Sequence, residues 1–378
     1  MAVSGLTCPA TGAPLLADTP HSLASGARRW PVIDGIAYLR TNRDALTDAA
    51  LALLDAGQAA DATALLLADQ DDWWHGPVAA PDGLRRLVRD RDRTTLREAF
   101  DLLCWGRVGD YFAHRWTDPT FLAGLALAEA HWAAPASGFE LACGIGHHLR
   151  ALHQQGVAVT GADVVFAKLW VARHWVVPEA TLLCFDAGAP WPLAATSFDL
   201  VACHDAFYFL EPKRRILDRL RALAAGGTLL VGHIHNRDWP NLSAGAAMSV
   251  DELVALAPDA VLYDDAELTR ALVDGRAPRP APPDALRSVE AFALVEGAGP
   301  ARPVAGRLGL SRGATALRRN PLYGPDRRIA WPSERYGAEY GPRATYPDRT
   351  SLPDRVPAAE APPEAVRRRE LVDLPERW

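Results

Sequence analysis

From Gly138 to about residue 298 short apolar runs alternate with longer amphipathic stretches, and this rhythm narrows the folds open to the chain. The runs are GFELAC, VAVTGADV, ATLLCFDA, FDLVACHD and GTLLVGHIH, with SVEAFALVEG closing the series near residues 288 to 297. They are rich in Val, Leu and Ala without strict polar alternation, so both faces of each are expected to be covered. Between the fourth and fifth, EPKRRILDRLRALAAGG sets Ile216, Leu217, Leu220 and Leu223 on one stripe and ends on glycines suited to a C-cap. SVDELVALA opens another helix with a capping box of Ser249 and Glu252. This pattern predicts an α/β fold over residues 135–298: a doubly wound, mostly parallel sheet with helices on both faces.

The flanks read differently. Residues 43–134 are helical in pattern: TLREAFDLLCWG puts Leu96, Ala99, Phe100 and Leu103 on one face behind a capping box of Thr95 and Glu98. DPTFLAGLALAEAHW follows with Asp118 as N-cap, Pro119 in the first turn, and Phe121, Leu122 and Leu125 on the apolar side. The aromatics of CWGRVGDYFAHRW, between them, suit core packing or a cap over an acceptor pocket. In the first 42 residues, RRWPVIDGIAYLRT has apolar runs on either side of Asp34-Gly35, a hairpin signal. Residues 299–378 are rich in Pro, Arg and Tyr without a helical or strand period; Tyr323, Trp331, Tyr336, Tyr340 and Tyr346 are expected to anchor a partly ordered, wrapping tail.

A formal charge of −6 gives no global reason to expect nucleic acid and slightly favours a small or neutral substrate. The amino terminus has no basic stretch leading into an apolar one, and no run is long enough to span a bilayer, so a cytoplasmic protein is expected. Five scattered cysteines read as free thiols.

FELACGIGHHL occupies the first strand-to-helix turn, where Gly144 and Gly146 let the backbone turn tightly and approach a ligand. A dinucleotide site wants a third glycine where Leu149 stands, and the lysine and hydroxyl of a phosphate-binding loop are absent. Asp163 follows the turn by about twenty residues, the usual distance for an acid that takes the hydroxyls of a ribose. Asp186, after the third run, is placed to accept from an adenine amino group.

These residues resemble the class I S-adenosylmethionine-dependent methyltransferases, whose Rossmann-like domain has a seven-stranded type of sheet. Their first motif, [D/E]-x-G-x-G-x-G, matches ELACGIG with Glu140 as the acid and Ala142 in place of the first glycine; FDLVACHDAFYFL matches the fourth-strand motif. The similarity covers about residues 110 to 298. It implies S-adenosyl-L-methionine as cofactor, with Ala142, Cys143, Gly144 and Gly146 beside the methionine and ribose and Glu140 holding the methionine end. It further implies Asp163 on the ribose, Phe185 and Asp186 at adenine, and Cys203 with His204 at the entrance to the acceptor. The leader CPATGAPL also resembles the zinc-ribbon modules that precede some bacterial methyltransferases, which carry C-P-x-C-G; Thr11 replaces the second cysteine and no later pair follows. One thiolate cannot hold a structural zinc, so a packing module without metal is expected.

Methyl transfer needs positioning first, and a general base where the acceptor is a hydroxyl. His204, Asp205, His233 and His235 fall at the ends of the fourth and fifth runs; His204 ranks first and His235 second as base, with His147 and His148 read as structural. The two histidines of GHIH share a strand face without specifying further ligands, so no metal is assigned. The leading expectation is O- or N-methylation of a small-molecule acceptor, with nucleic acid disfavoured and the oligomeric state open. The alternatives are rRNA methylation, a noncatalytic cofactor-binding or scaffold role, and, more distantly, a nicotinamide oxidoreductase.

Overall fold

The structure, a computed structural model, describes residues 5–193, 196–240 and 245–378; the first four residues of the leader lie outside it. Eleven of the described strands form one sheet: β1 (Leu16–Thr19), β2 (Ser22–Ser25), β3 (Arg28–Ile33), β4 (Ile36–Tyr38), β5 (Ser137–Leu141), β6 (Ala158–Asp163), β7 (Thr181–Cys184), β8 (Leu200–His204), β9 (Thr228–His235), β10 (Val261–Asp264) and β11 (Ala291–Glu296). Side by side they run β1-β2-β3-β4-β7-β6-β5-β8-β9-β11-β10. From β4 to β9 every pairing is parallel, and β11 is antiparallel to both β9 and β10. The order reverses between β5 and β8, which makes this a doubly wound Rossmann-like sheet with a switch point beyond those two strands.

The sheet is larger than a seven-stranded type because the leader joins it. Asp34 and Gly35 both take left-handed conformations (φ 51° and 76°), as a tight two-residue hairpin requires. β4 then lies parallel to β7, with Ile36 opposite Leu182 and Tyr38 opposite Cys184. The same turn is docked from above: the Trp170 indole N–H donates to the Asp34 carboxylate at 2.8 Å, and His174 Nε2 lies 3.0 Å from it. Cys8 is buried in the core that also holds Trp30, its carbonyl accepting the backbone N–H of Gly12 at 2.7 Å.

Two apolar cores cover the two faces of the sheet, one built on the helical region and one on the helix Lys213–Leu223. That helix buries the four residues of its stripe, and both capping boxes form, Thr95 with Glu98 and Ser249 with Glu252. The helix Pro119–Ala130, expected to be apolar on one side, is buried at all twelve residues. Its outer side is covered by residues 299–378: the Ala305 N–H donates to Glu129 at 2.7 Å and the Arg302 N–H to the carbonyl of Ala130 at 2.9 Å. The rest of this segment forms a second sheet, β12 (Ala316–Arg319) between β13 (Arg355–Pro357) and β14 (Leu371–Val372), and a helix Glu334–Tyr340.

Candidate active site

A cavity of about 660 Å³, in the size range of small-ligand sites, opens beyond the ends of β5 and β8. After β5 the backbone turns through Ala142, Gly144 and Gly146, with φ of 54°, 56° and 84°. Asp163, at the end of β6, fixes this turn: its carboxylate accepts the N–H of Gly144 at 3.0 Å and that of Val165 at 2.9 Å. A Cβ on Gly144 would stand 3.2 Å from the Phe112 ring, so the close approach from the helical region needs glycine there. The Lys168 ammonium lies 3.7 Å from Asp163 and 3.6 Å from Asp71. Phe185 and Asp186 line the same cavity, and Asp186 accepts the N–H of Gly188 at 2.7 Å.

Glu140 is buried at the floor, with Oε1 3.3 Å from His148 Nδ1 and Oε2 without a hydrogen-bond partner. Burial pushes its pKa up to about 7, against the pull of His204 and Arg115. His204 packs on His148 with ring centres 4.3 Å apart.

The opposite end is a denser polar cluster. Arg115 is buried and reaches Asp205 at 2.9 Å, Asp118 at 3.3 Å and Thr120 at 2.7 Å. The Tyr111 hydroxyl donates to one oxygen of Asp205 at 2.7 Å and the Tyr208 hydroxyl to the other at 2.9 Å. His233 Nδ1 lies 2.9 Å from Asp265, and its Nε2 is 3.8 Å from Asp205. Burial opposes a charge on this ring, but Asp265 and Asp205 outweigh it and hold the His233 pKa above the usual imidazole value. From residues 299–378, Tyr336, Glu339 and Tyr340 reach the cavity wall.

Residues 139–231 match the sequence model of the family described as "Methyltransferase domain". This segment is similar to methyltransferase domains. No curated protein matches the chain. Among solved structures, the chain is similar to an amino pentose methyltransferase, CalS10, from Micromonospora echinaspora, at 26% identity and a TM-score of 0.27, covering 32% of this chain and 52% of that one. It is also similar to a TehB-like SAM-dependent methyltransferase from Corynebacterium glutamicum, at 18% identity and a TM-score of 0.35, covering 50% of this chain and 96% of that one. A third, the plantazolicin methyltransferase BamL, aligns at 13% identity and a TM-score of 0.37 over 55% of this chain and 94% of that one.

In and just beyond this segment the structure gathers Glu140, Ala142, Cys143, Gly144, Asp163, Phe185, Asp186, His204 and His235 around one cavity. It does not bring Gly146 or Cys203 to the wall. Gly146 starts the helix His147–His153, and a Cβ there would meet Val177 at 2.8 Å, so its absent side chain serves helix packing. Cys203 corrects the expectation of an entrance residue: strand neighbours point to opposite faces, and with His204 on the cavity side Cys203 is buried in the core behind the sheet.

His204 stands on the cavity wall. Burial, aided by its neighbour His148, lowers its pKa to about 3, and its Nδ1 has no hydrogen-bond partner, so it is a neutral wall residue. His235 lies at the polar end, its ring edge-on to Tyr208 at 4.2 Å, and burial lowers its pKa to about 4. Tyr111, Arg115 and Asp265 were not found from the sequence. Tyr111 is 94 residues from its partner Asp205, and no local spacing records that contact.

Proposed function

We propose that the chain is an S-adenosyl-L-methionine-dependent methyltransferase that acts on a small-molecule acceptor at oxygen or nitrogen. The observation that carries this reading is the glycine turn after β5, held by the Asp163 carboxylate at the switch point of the matching segment. The residues present suit the cofactor. Gly144 leaves a cradle that a Cβ would fill, Glu140 offers a buried oxygen without a partner, and Asp163 and Asp186 stand at the ends of successive strands.

When bound, S-adenosyl-L-methionine supplies an electrophilic methyl group on a sulfonium. Glu140, Gly144 and Asp163 would hold the methionine and ribose parts, and Phe185 and Asp186 the adenine. The chain's own task is to hold a nucleophile in line and to keep water away, and orientation of this kind supplies much of the acceleration. The acceptor end is the cluster around Asp205, His233, His235 and Tyr208, with the helical region 43–134 and the segment 299–378 closing it as cap and roof. Any proton leaving the acceptor would be taken up at this end of the cavity. Carboxylates on the wall, among them Asp71, Asp72, Asp110, Asp186 and Glu339, disfavour a polyanion, which supports a small acceptor over RNA.

Isothermal titration with S-adenosylhomocysteine tests the reading. Saturable binding to the wild type is expected, weakened about 10- to 100-fold in Asp163→Ala, where the carboxylate's hydrogen bonds to the turn are lost. Absence of binding to a well-folded wild type would overturn it and leave a scaffold role.

A further inference from the structure

We propose that Asp205, His233 and His235 form a site for a divalent first-row transition metal at the acceptor end of the cavity. Each offers a ligand atom, and these atoms lie within 4.8 Å of one another; among the described residues this is the one such group of three or more. Two ligand atoms bound to one ion at about 2.1 Å stand roughly 3 to 3.5 Å apart, so small side-chain rotations would close the present geometry around it.

Four observations point the three groups at a cation. First, His233 is already oriented as a metal ligand is: Asp265 takes its Nδ1 side at 2.9 Å, which leaves Nε2 directed towards Asp205. Second, His235 is 4% exposed, lines the cavity beside Asp205, and has an Nδ1 without a hydrogen-bond partner, free to take a ligand. Third, the charge is out of balance. The carboxylates of Asp118, Asp205 and Asp265 are each no more than 8% exposed, and one equally buried guanidinium, Arg115, sits among them. Arg343, 3.9 Å from Asp265, is also committed to Glu290 at 3.1 Å. A dication would supply the balancing charge in place of a proton on His233.

Fourth, the backbone is bent to make the group. Ala293 on β11 faces both Gly232 and His233 on β9, since Phe292 pairs with Ile234 and Leu294 with Val231. This bulge re-aims His233, which takes a left-handed φ of 52°, and Asp205 does the same at 52°. Two of the three ligands are therefore held in conformations that side chains other than glycine adopt at a cost.

The donor set selects the metal. Two imidazoles and one carboxylate suit Zn(II), Fe(II), Co(II) or Ni(II) better than Mg(II) or Ca(II), which prefer oxygen. Tyr111 and Arg115 occupy one oxygen of Asp205, so the ion would take the other, which now accepts from Tyr208. The protein ligands come from β9 and the end of β8, and the remaining coordination positions open on the cavity, where an acceptor oxygen or nitrogen would bind. Metal binding itself does not depend on the proposed methyl transfer; only that role for the open positions rests on it.

The test is titration of the chelator-treated full chain with Co(II), followed by visible d–d absorption, and with Zn(II) by calorimetry. One saturable equivalent per chain is expected, with at least a tenfold loss of affinity in His235→Gln and in Asp205→Asn and none in His153→Ala. Circular dichroism checks the fold of each variant, and metal should raise the wild-type melting temperature. A folded wild type that binds neither ion would overturn the proposal, leaving a proton on His233 to balance the cluster; so would one equivalent that survives both substitutions. Titration with S-adenosylhomocysteine uses no metal, so failure here is distinguishable from failure of the methyltransferase reading.

Discussion

Ala142 stands in a backbone conformation that glycine adopts without penalty. Its φ of 54° places it in the left-handed region, at the position where the resembled methyltransferases carry the first glycine of their turn. That region costs an L-residue about 1–2 kcal/mol, and glycine returns part of the gain through its more flexible unfolded chain. Ala142→Gly should therefore stabilise the protein by up to about 1 kcal/mol, read as a rise in the urea midpoint; a loss of stability would mean that the methyl group makes packing contacts worth more than the strain. Gly144→Val should do the reverse. It combines a φ of 56° with a Cβ 3.2 Å from Phe112, so it should destabilise the turn and abolish S-adenosylhomocysteine binding in calorimetry. These residues were legible in the sequence because the turn is local: Glu140, Gly144 and Asp163 lie within one strand-helix-strand unit. At the polar end Asp205, His233 and His235 could be named from the strand ends, but their partners could not. His233 depends on Asp265, 32 residues away, and Arg115 on Asp205, and no periodicity encodes such pairs.

At the scale of elements, the core strands and both capping boxes could be read because each depends on neighbouring residues. The short strand β10 could not, since it runs straight into the helix Asp265–Asp274 with no turn residues between them. The extra strands of the leader were missed for another reason: the hairpin was legible at Asp34-Gly35, but its docking on β7 is a long-range pairing. Residues 299–378 show the same limit. Their end is tied to the helical region, where the Trp378 indole N–H donates to the carbonyl of Ala113 at 2.8 Å and the Arg97 guanidinium lies 5.3 Å from its ring. Beside it the Leu96 N–H donates to the carbonyl of Arg377 at 2.7 Å, so the last residues close the first turn of the helix Leu96–Leu102. Trp378→Ala should cost about 2 kcal/mol in urea unfolding, less than a fully buried tryptophan because its ring is half-buried. It should also speed amide exchange across residues 96–114. An unchanged exchange pattern there would show that the helical region holds its place without this contact.

For the whole molecule, the buried histidines set the response to acid. Burial lowers the pKa of His114 to about 4 and of His148 to about 3, and holds that of His147 well below the usual value. Each is neutral in the folded chain and titrates near 6.5 when unfolded, so between those values the unfolded state binds more protons. Stability therefore falls as pH drops from 6.5 towards 4. Glu140 works the other way: its folded pKa of about 7 exceeds the ordinary 4.5, the folded state holds the extra proton between the two, and stability falls as pH rises through that window. His204 and His235, lowered to about 3 and about 4, add to the same side; one carboxyl against five rings leaves the histidines dominant, and the chain should be markedly weaker at pH 4.5 than at pH 7. His114 can be isolated, since its Nδ1 has no hydrogen-bond partner and its ring packs edge-on to Tyr336 and Trp378, contacts a phenyl ring can keep. A shift from 6.5 to about 4 corresponds to about 3 kcal/mol of acid penalty. His114→Phe should leave urea stability near wild type at pH 7 and exceed it by about 2–3 kcal/mol at pH 4. Parallel pH dependences for the two proteins would show that His114 accepts its proton in the folded state, and that the acid response comes from the histidines around the cavity, His147, His148, His204 and His235.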